Sequence, residues 1–124
     1  MIKEIETVIY HIPALNSSIT INDVDTCFSK YFSKYKNYAF ITAFNRKGIK
    51  DTIENNILNN KRLLNDIKEY HYLTAFTEFN TVIDEEGFMI FDIERTMLIS
   101  LQEKYEQNAV LFGTIHCSEL IYLI

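Results

Sequence analysis

The sequence predicts an α/β fold of the α+β type, with a single mixed β-sheet of about five to seven strands and about three packed helices. Apolar runs of strand length alternate with segments in which apolar residues recur at helical spacing. The chain of 124 residues contains 3 Gly and 1 Pro, which indicates short connections. Residues 38–44 are apolar almost throughout, as in a strand that is buried on both faces, and we expect this to be the central strand.

The segments before the central strand predict one strand and one helix. Residues 5–12 are rich in β-branched side chains and are expected to form a strand that ends at Pro13. Residues 16–18 are expected to form a loop. Apolar and aromatic side chains then recur at helical spacing over residues 23–36, with Asn22 as the expected N-cap.

The segments after the central strand continue the alternation. A second helix is expected over residues 52–69, and its start is signalled by Asp51 with Glu54 or by Thr52 with Asn55. The remaining elements, in chain order, are strands at 71–76 and 87–93 with a connection around Asn80 and Asp84, Glu85 and Glu86, a third helix beginning near Glu94, and strands at 109–112 and 119–123. Because a short turn separates the last two strands, we expect them to pair antiparallel.

Length and charge limit the class of protein. The chain fits one domain, residues 1–124, and no apolar run reaches membrane-spanning length, so we expect a cytoplasmic protein that does not enter a membrane. The net charge is −5, with nine of the twelve basic residues in 30–68 and ten acids in 69–124. Such an acidic chain is a poor general binder of nucleic acid, because neutralising phosphates requires a basic face.

The residues that usually carry catalysis or metal binding form no recognised motif. The three histidines lack zinc-site spacing, and nothing resembles a nucleophile elbow, so we expect no metal and no cofactor, and a binding role is favoured over an enzyme. Without an export signal, Cys27 and Cys117 are expected to be reduced and buried. The acidic triplet at 84–86 could supply a general acid or base, or it could be an exposed turn.

Two asparagines lie within the apolar stripe of the second helix. At about 100° per residue, Asn56 and Asn60 share a face with a set of apolar side chains, namely Ile53, Ile57, Leu63, Leu64 and Ile67. Asn has low helix propensity, and burial of its amide is costly without hydrogen-bond partners. Two interpretations stay open: the amides pin a neighbouring loop, or they line a polar pocket at the edge of the sheet.

A basic turn separates the central strand from the second helix. Arg46, Lys47 and Lys50 lie there, next to the free backbone N–H groups of the helix N-terminus, and together these groups favour an anion. With Gly48 as its one glycine, the turn is no phosphate-binding loop. The alternative is a solvated basic turn.

Several short motifs follow one another in a fixed order along the chain: Thr42, Ala43 and Asn45; Asn56, Asn60 and Leu63; Glu85 or Glu86 with Gly87 and Phe88; and Gln107, Asn108 and Ala109. This order, from about residue 38 to the C-terminus, resembles the bacterial family of unknown function DUF3293. Two positions differ from the family pattern. Arg46 stands where the family has proline, and Asn55 stands where it has glutamate, so a role of that glutamate in relatives could not be carried out here.

The resemblance implies no activity, but it implies that seven polar residues form one neighbourhood: Thr42, Asn45, Asn56, Asn60, Glu85, Gln107 and Asn108. Amides, a hydroxyl and a carboxylate suit the binding of a polar ligand better than nucleophilic catalysis. With Arg46 and Lys47 added, they form the expected site for a small polar or anionic molecule at the C-terminal end of the central strand. The alternative function is a non-catalytic acidic module that docks on a protein partner.

Overall fold

A computed structural model describes residues 7–123 of the chain. Within this range there are seven strands and three α-helices, in the order β1 (Ile9–Ile12), β2 (Ser17–Ile19), α1 (Thr26–Phe32), β3 (Asn37–Ile41), α2 (Ile53–Ile67), β4 (His71–Phe79), β5 (Val82–Phe91), α3 (Arg95–Lys104), β6 (Ala109–Thr114) and β7 (Ser118–Tyr122). Two short 3₁₀ turns, Pro13–Leu15 and Arg46–Gly48, lie between them.

The seven strands form one sheet in the order β2-β1-β4-β5-β3-β6-β7. This confirms the α+β class with a single sheet of seven strands and three helices. Every pairing between the described strands is antiparallel, so the expectation of mixed strand direction was wrong. Helices do connect strands along the chain here, but none of them links two strands that are parallel neighbours, as a crossover helix would.

The sheet is covered on both faces, by different helices. One face carries apolar residues of α2 and α3, such as Leu63 and Leu98, against Ala39 and Ile41 of β3. The other face carries Phe28 and Phe32 of α1, which pack with residues such as Tyr38, Phe91 and Leu111. Residues 38–44 are buried throughout, which confirms the two-sided burial predicted from the apolar run.

The sheet curls into a half-barrel around α1. Its two edge regions meet at one end, where Asn22 and Ser118 exchange two hydrogen bonds: Asn22 N–H donates to Ser118 Oγ, and Ser118 N–H donates to Asn22 Oδ1, both at 2.6 Å. Asn22 is therefore not the N-cap of α1. Its φ of 58° is left-handed, whereas Asp25 is extended and its carboxylate accepts a hydrogen bond from Phe28 N–H at 2.8 Å.

The turn between β4 and β5 is tighter than the sequence predicts. Asn80 and Thr81, with φ of 51° and 64°, form a two-residue turn whose positive φ values match those of type I′ hairpins. Both strands are consequently longer than expected. The acidic triplet 84–86 lies within β5 rather than in a connection. Of residues 16–18, expected in a loop, Ser17 and Ser18 belong instead to the edge strand β2.

The expected burial of the two cysteines was wrong. Cys27 and Cys117 are free thiols, but both are exposed rather than buried, one at the start of α1 and one before β7.

Within the described residues, no helix combines the length and apolar character needed to cross a membrane.

Gly87 permits the close approach of β5 and β3 where the sheet curls. A Cβ at this position would lie 2.5 Å from the carbonyl oxygen of Ile41 and 2.9 Å from Cβ of Thr42. These contacts include backbone, which cannot move without displacing the strand.

Gly87→Ala is therefore expected to lower the free energy of unfolding by about 1–3 kcal/mol, the usual range for overpacking a core. Urea unfolding measures this loss. Thr74→Ala, at an exposed position on β4, serves as the control and should change stability by less than about 0.5 kcal/mol. Equal stabilities of the two variants would contradict a steric role for Gly87.

Candidate functional site

The chain leaves the sheet after β3 but stays buried through Phe44, and side chains satisfy its backbone. Asn60 Oδ1 accepts from Ala43 N–H at 2.8 Å, and Asn56 Oδ1 accepts from Asn45 N–H at 2.9 Å. The other amide atoms are also used: Asn60 Nδ2 donates to Glu86 C=O, and Asn56 Nδ2 donates to Asn45 Oδ1. Both amides thus point inward to the end of the central strand, as predicted.

These contacts favour the first of the two interpretations, in which the amides pin a loop. Asn45 has a left-handed φ of 49°, and its Oδ1 also accepts from Asp51 N–H at 3.0 Å. Asn56 and Asn45 therefore hold the segment from 45 to 51 against the first turns of α2. Neither Asn56 nor Asn60 lines the cleft described below.

The buried face of α2 differs from the predicted stripe. At its C-terminal end Leu63 and Ile67 are fully buried, as expected, but Ile53 and Ile57 are 57% and 45% exposed. In the first turns the buried side chains are Asn56 and Asn59. The start of the helix lies over the polar backbone of the loop, so amides are buried there in place of isoleucines.

Two of the three cations of the basic turn, Arg46 and Lys47, are paired within the chain, and Lys50 is exposed. Arg46 Nη2 and Lys47 Nζ lie 2.7 and 3.2 Å from the two carboxylate oxygens of Glu106. Lys47 N–H also donates to Glu106 C=O at 2.7 Å. The nearby N-terminus of α2 is capped by its own residues, since Thr52 Oγ1 accepts from Asn55 N–H. The expected anion site at this turn is therefore weakened, because two of its three cations and the helix N-terminus are already engaged within the chain.

A cleft of about 340 Å³ opens at the mouth of the half-barrel, on the face that carries α1 but at the other end of the core. We call it the mouth cleft. Its walls are mainly apolar, and its polar groups come from β1, β4 and β5, from the loop after β3 and from the residues before β6. The lining residues are Val8, Tyr10, Phe40, Thr42, Asn45, Gly48, Thr77, Phe79, Asp84, Glu85, Gln107, Asn108, Ala109, Leu111 and Leu120.

The position of Glu85 in this cleft shifts the pKa of its carboxyl group. Burial, and secondarily the neighbouring charge of Asp84, raise the pKa of Glu85 from 4.5 to about 7, although a hydrogen bond from Asn45 Nδ2 at 3.2 Å opposes the shift. Burial together with the charges of Tyr122 and Glu85 raises the pKa of the Tyr10 hydroxyl. The Glu85 carboxyl therefore changes charge near neutral pH.

Gln107 is buried and is held from two sides. Its Nε2 donates to Phe44 C=O at 3.0 Å and to Tyr105 C=O at 3.1 Å. Two carbonyl acceptors fix the orientation of the amide, since only the nitrogen can donate. Gln107 thus joins the loop after β3 to the start of β6, and its oxygen is left for other partners.

The structure divides the predicted site residues into three groups. Thr42, Asn45, Glu85, Gln107 and Asn108 line the mouth cleft. Asn56 and Asn60 support it from the opposite side of the loop, and Arg46 and Lys47 are paired with Glu106.

Three polar residues that line the cleft are absent from the predicted site: Tyr10, Thr77 and Asp84, of which Asp84 was considered only within the acidic triplet. Tyr10 belongs to β1, whose side chains alternate between half-buried and buried in the structure. The sequence of this strand, Ile-Tyr-His-Ile, does not show that alternation, so it gave no signal for Tyr10. Thr77 exchanges hydrogen bonds with the backbone of Glu85 beside a β-bulge, for which the sequence gives no signal.

The comparison with protein families decides the classification of the chain. Residues 41–110, more than half of the chain, match the family described as "Protein of unknown function (DUF3293)". The chain belongs to this family. The DUF3293 match includes all nine predicted site residues, namely the seven that line or support the mouth cleft and also Arg46 and Lys47. Neither the comparison with curated proteins nor that with solved structures gives a match.

Replacing Asn56 by alanine removes both of its hydrogen bonds to Asn45 and leaves a half-buried backbone N–H without its partner. Asn56→Ala is expected to cost about 1–3 kcal/mol of unfolding free energy, and faster amide hydrogen exchange is expected in residues 45–51. Asn65→Ala changes an exposed asparagine further along the same helix, away from residues 45–51, and should cost less. Unchanged exchange at 45–51 would show that the amide does not hold the loop.

The raised pKa of Glu85 also predicts how stability depends on pH. The folded state binds this proton more tightly than the unfolded state, whose pKa is the ordinary 4.5. Stability should therefore fall as the pH rises from about 4.5 to about 7, and this component should level off above that range. Urea unfolding at a series of pH values tests it, with Glu85→Gln as the variant that lacks the titration. If both proteins show the same fall, Glu85 is not its source.

Proposed function

We propose that the mouth cleft binds a small molecule with an apolar body and a polar end. The observation that carries this proposal is the placement of a half-buried Glu85 carboxyl, with its pKa near 7, in an otherwise mostly apolar cleft. A concave apolar pocket with a few convergent polar groups and a perturbed ionisable group is the usual form of a ligand site.

The dimensions of the cleft support a ligand of metabolite size. Its volume of about 340 Å³ is at the lower end of the range found for small-molecule pockets. Phe40, Phe79, Leu111 and Leu120 offer apolar contact area on its walls, and Glu85 with Asn108 offers polar contacts at one side. The ligand would bury its body between the walls and direct its polar end toward β5 and β6.

The geometry supports the polar part of the sequence prediction more than the anionic part. None of the residues that line the mouth cleft is a lysine or an arginine, and two, Asp84 and Glu85, are acids. Arg46 and Lys47 are already paired with Glu106. A phosphate or carboxylate would therefore enter the cleft without a cationic partner, at a cost in desolvation.

The alternative function, an acidic module that docks on a protein in the cytoplasm, stays a prediction. Several acids of the C-terminal half are engaged within the chain, including Glu78 with His11 and Glu119 with Arg95. A pull-down at low and high salt tests this alternative independently of the cleft, since docking through charge should weaken as salt rises.

A thermal-shift screen tests the proposed function. The panel contains small amines, amides, alcohols and carboxylates with apolar bodies, and at least one class is expected to raise the melting temperature, because a ligand that binds the folded state stabilises it. Ala109→Phe fills the cleft and should abolish the shift, whereas Ser100→Phe, exposed on α3, should leave it unchanged. If no compound raises the melting temperature of the wild-type protein, the proposal is wrong.

A further inference from the structure

Most polar groups of the mouth cleft are already committed to the protein itself. Thr42 Oγ1 donates to Glu86 C=O and accepts from Phe44 N–H. Thr77 Oγ1 is shared with the backbone of Glu85. The amide of Asn45 donates to Glu85 and accepts from Asn56 and Asp51. These three side chains shape the cleft, but they have little capacity left for a ligand.

The atoms that remain are mainly acceptors. Within residues 7–123, no hydrogen bond reaches Glu85 Oε1 or Gln107 Oε1, and none involves the carboxylate of Asp84. Gln107 is 6% exposed, and its oxygen is not among the fully buried side-chain atoms without a partner, so this oxygen is reached from the cleft. The oxygens of Gln107 and of ionised Glu85 and Asp84 can only accept hydrogen bonds.

Two further groups can donate as well as accept. Tyr10 is 5% exposed, yet its hydroxyl makes no hydrogen bond to the described part of the chain, and the residue lines the cleft. Asn108 is exposed at the rim, and its side chain likewise has no hydrogen-bond partner in residues 7–123. Among these side chains, acceptors therefore predominate, and none of the side chains that line the cleft is one that can only donate.

The electrostatic surroundings point the same way. The charged or titratable groups facing Glu85 are Asp84 beside it on β5 and Tyr10 from β1, with Tyr122 of β7 near Tyr10. On the far side of Glu85, a separate groove is lined by Lys50 and Asp51, which have opposite charges. The field within the cleft is therefore negative once Glu85 ionises.

From this hydrogen-bond inventory we infer that the polar end of the ligand is a hydrogen-bond donor, specifically a protonated amine on an apolar body. An ammonium group has three N–H donors and no acceptor, which complements the oxygens of Glu85 and Gln107 and the Tyr10 hydroxyl. Hydrogen bonds between an ammonium and a carboxylate are among the stronger ones, particularly where water is partly excluded. This inference rests on the proposed function and names the chemical class of its ligand.

The inference has a consequence for pH. A cation favours the ionised form of Glu85, so binding an ammonium should lower the pKa of this carboxyl and release a proton near neutral pH. Amine affinity should accordingly rise from pH 6 to pH 8 and become flat above that. A suitable probe is 2-phenylethylamine, which stays protonated between pH 6 and pH 8 because aliphatic amines titrate near the pKa of lysine, about 10.

Three probes of matched size test the inference: 2-phenylethylamine, 2-phenylethanol and phenylacetate. NMR titration of the wild-type protein at pH 8 follows the backbone amides of residues 84–85 and 107–111. The amine is expected to bind at least about tenfold more tightly than phenylacetate, a difference of about 1.4 kcal/mol. Glu85→Gln should remove most of this preference and its pH dependence. Glu86→Gln, at an exposed position next to it, should leave both unchanged.

The outcomes separate this inference from the proposed function. If phenylacetate or the alcohol binds in the cleft as tightly as the amine, the amine assignment is wrong and the cleft remains a ligand site. If the amine is preferred but Glu85→Gln does not alter the preference, Glu85 is not the receptor group and the inference is equally overturned. If none of the three probes changes the NMR shifts of the backbone amides in the cleft, and no compound of the thermal-shift screen raises the melting temperature, both the amine assignment and the proposed ligand site are wrong. The order of the three probes' affinities for the wild-type protein tests the amine assignment even if a variant does not fold.

Discussion

The structure depends on how the backbone is satisfied where the chain leaves the sheet after β3. Ala43 and Phe44 are buried, but Ile41 is the last residue of β3 that pairs with β5, so the next N–H and C=O groups have no strand as partner. Buried backbone groups without partners are costly. Side chains replace the missing strand here. Asn60 accepts from Ala43, Thr42 accepts from Phe44, and Gln107 donates to Phe44 C=O.

The hydrogen bonds that satisfy the backbone after β3 also position polar residues of the mouth cleft. Asn56 fixes the backbone and the side chain of Asn45 at once, and Asn45 then reaches Glu85. Gln107 directs its nitrogen to the loop and therefore its oxygen to the cleft. Pinning a loop and shaping a pocket, which the sequence presented as alternatives, are consequently two effects of the same contacts. The amides on α2 do the pinning, and the residues they hold in place form the cleft.

The sequence predicted those parts of the structure that follow from local pattern. The apolar run at 38–44 predicted a strand buried on both faces, and Asn56 and Asn60 were recognised as inward-facing because amides in an apolar stripe need partners. The pairing of Arg46 and Lys47 with Glu106 could not be predicted, since about 60 residues separate the partners along the chain and only the fold brings them together. For the same reason, Tyr10 was missed, because β1 joins the cleft through the curl of the sheet. The exposure of Ile53 follows from packing of the first turns of α2 on a loop rather than on a strand, which periodicity does not distinguish.

The position of Glu85 shows how the fold and the proposed site are connected energetically. Burial and the charge of Asp84 raise the pKa of the Glu85 carboxyl to about 7, so ionisation of this carboxyl destabilises the folded protein. The protein partly offsets this through the hydrogen bond from Asn45, which in turn depends on Asn56. A donor ligand would supply the remaining compensation from the open side of the cleft. In the absence of a ligand, the ionised Glu85 carboxylate thus lies next to the loop of residues 45–51, whose backbone is held by hydrogen bonds from side chains. This loop holds Glu85 in place through Asn45 but brings no positive charge to it.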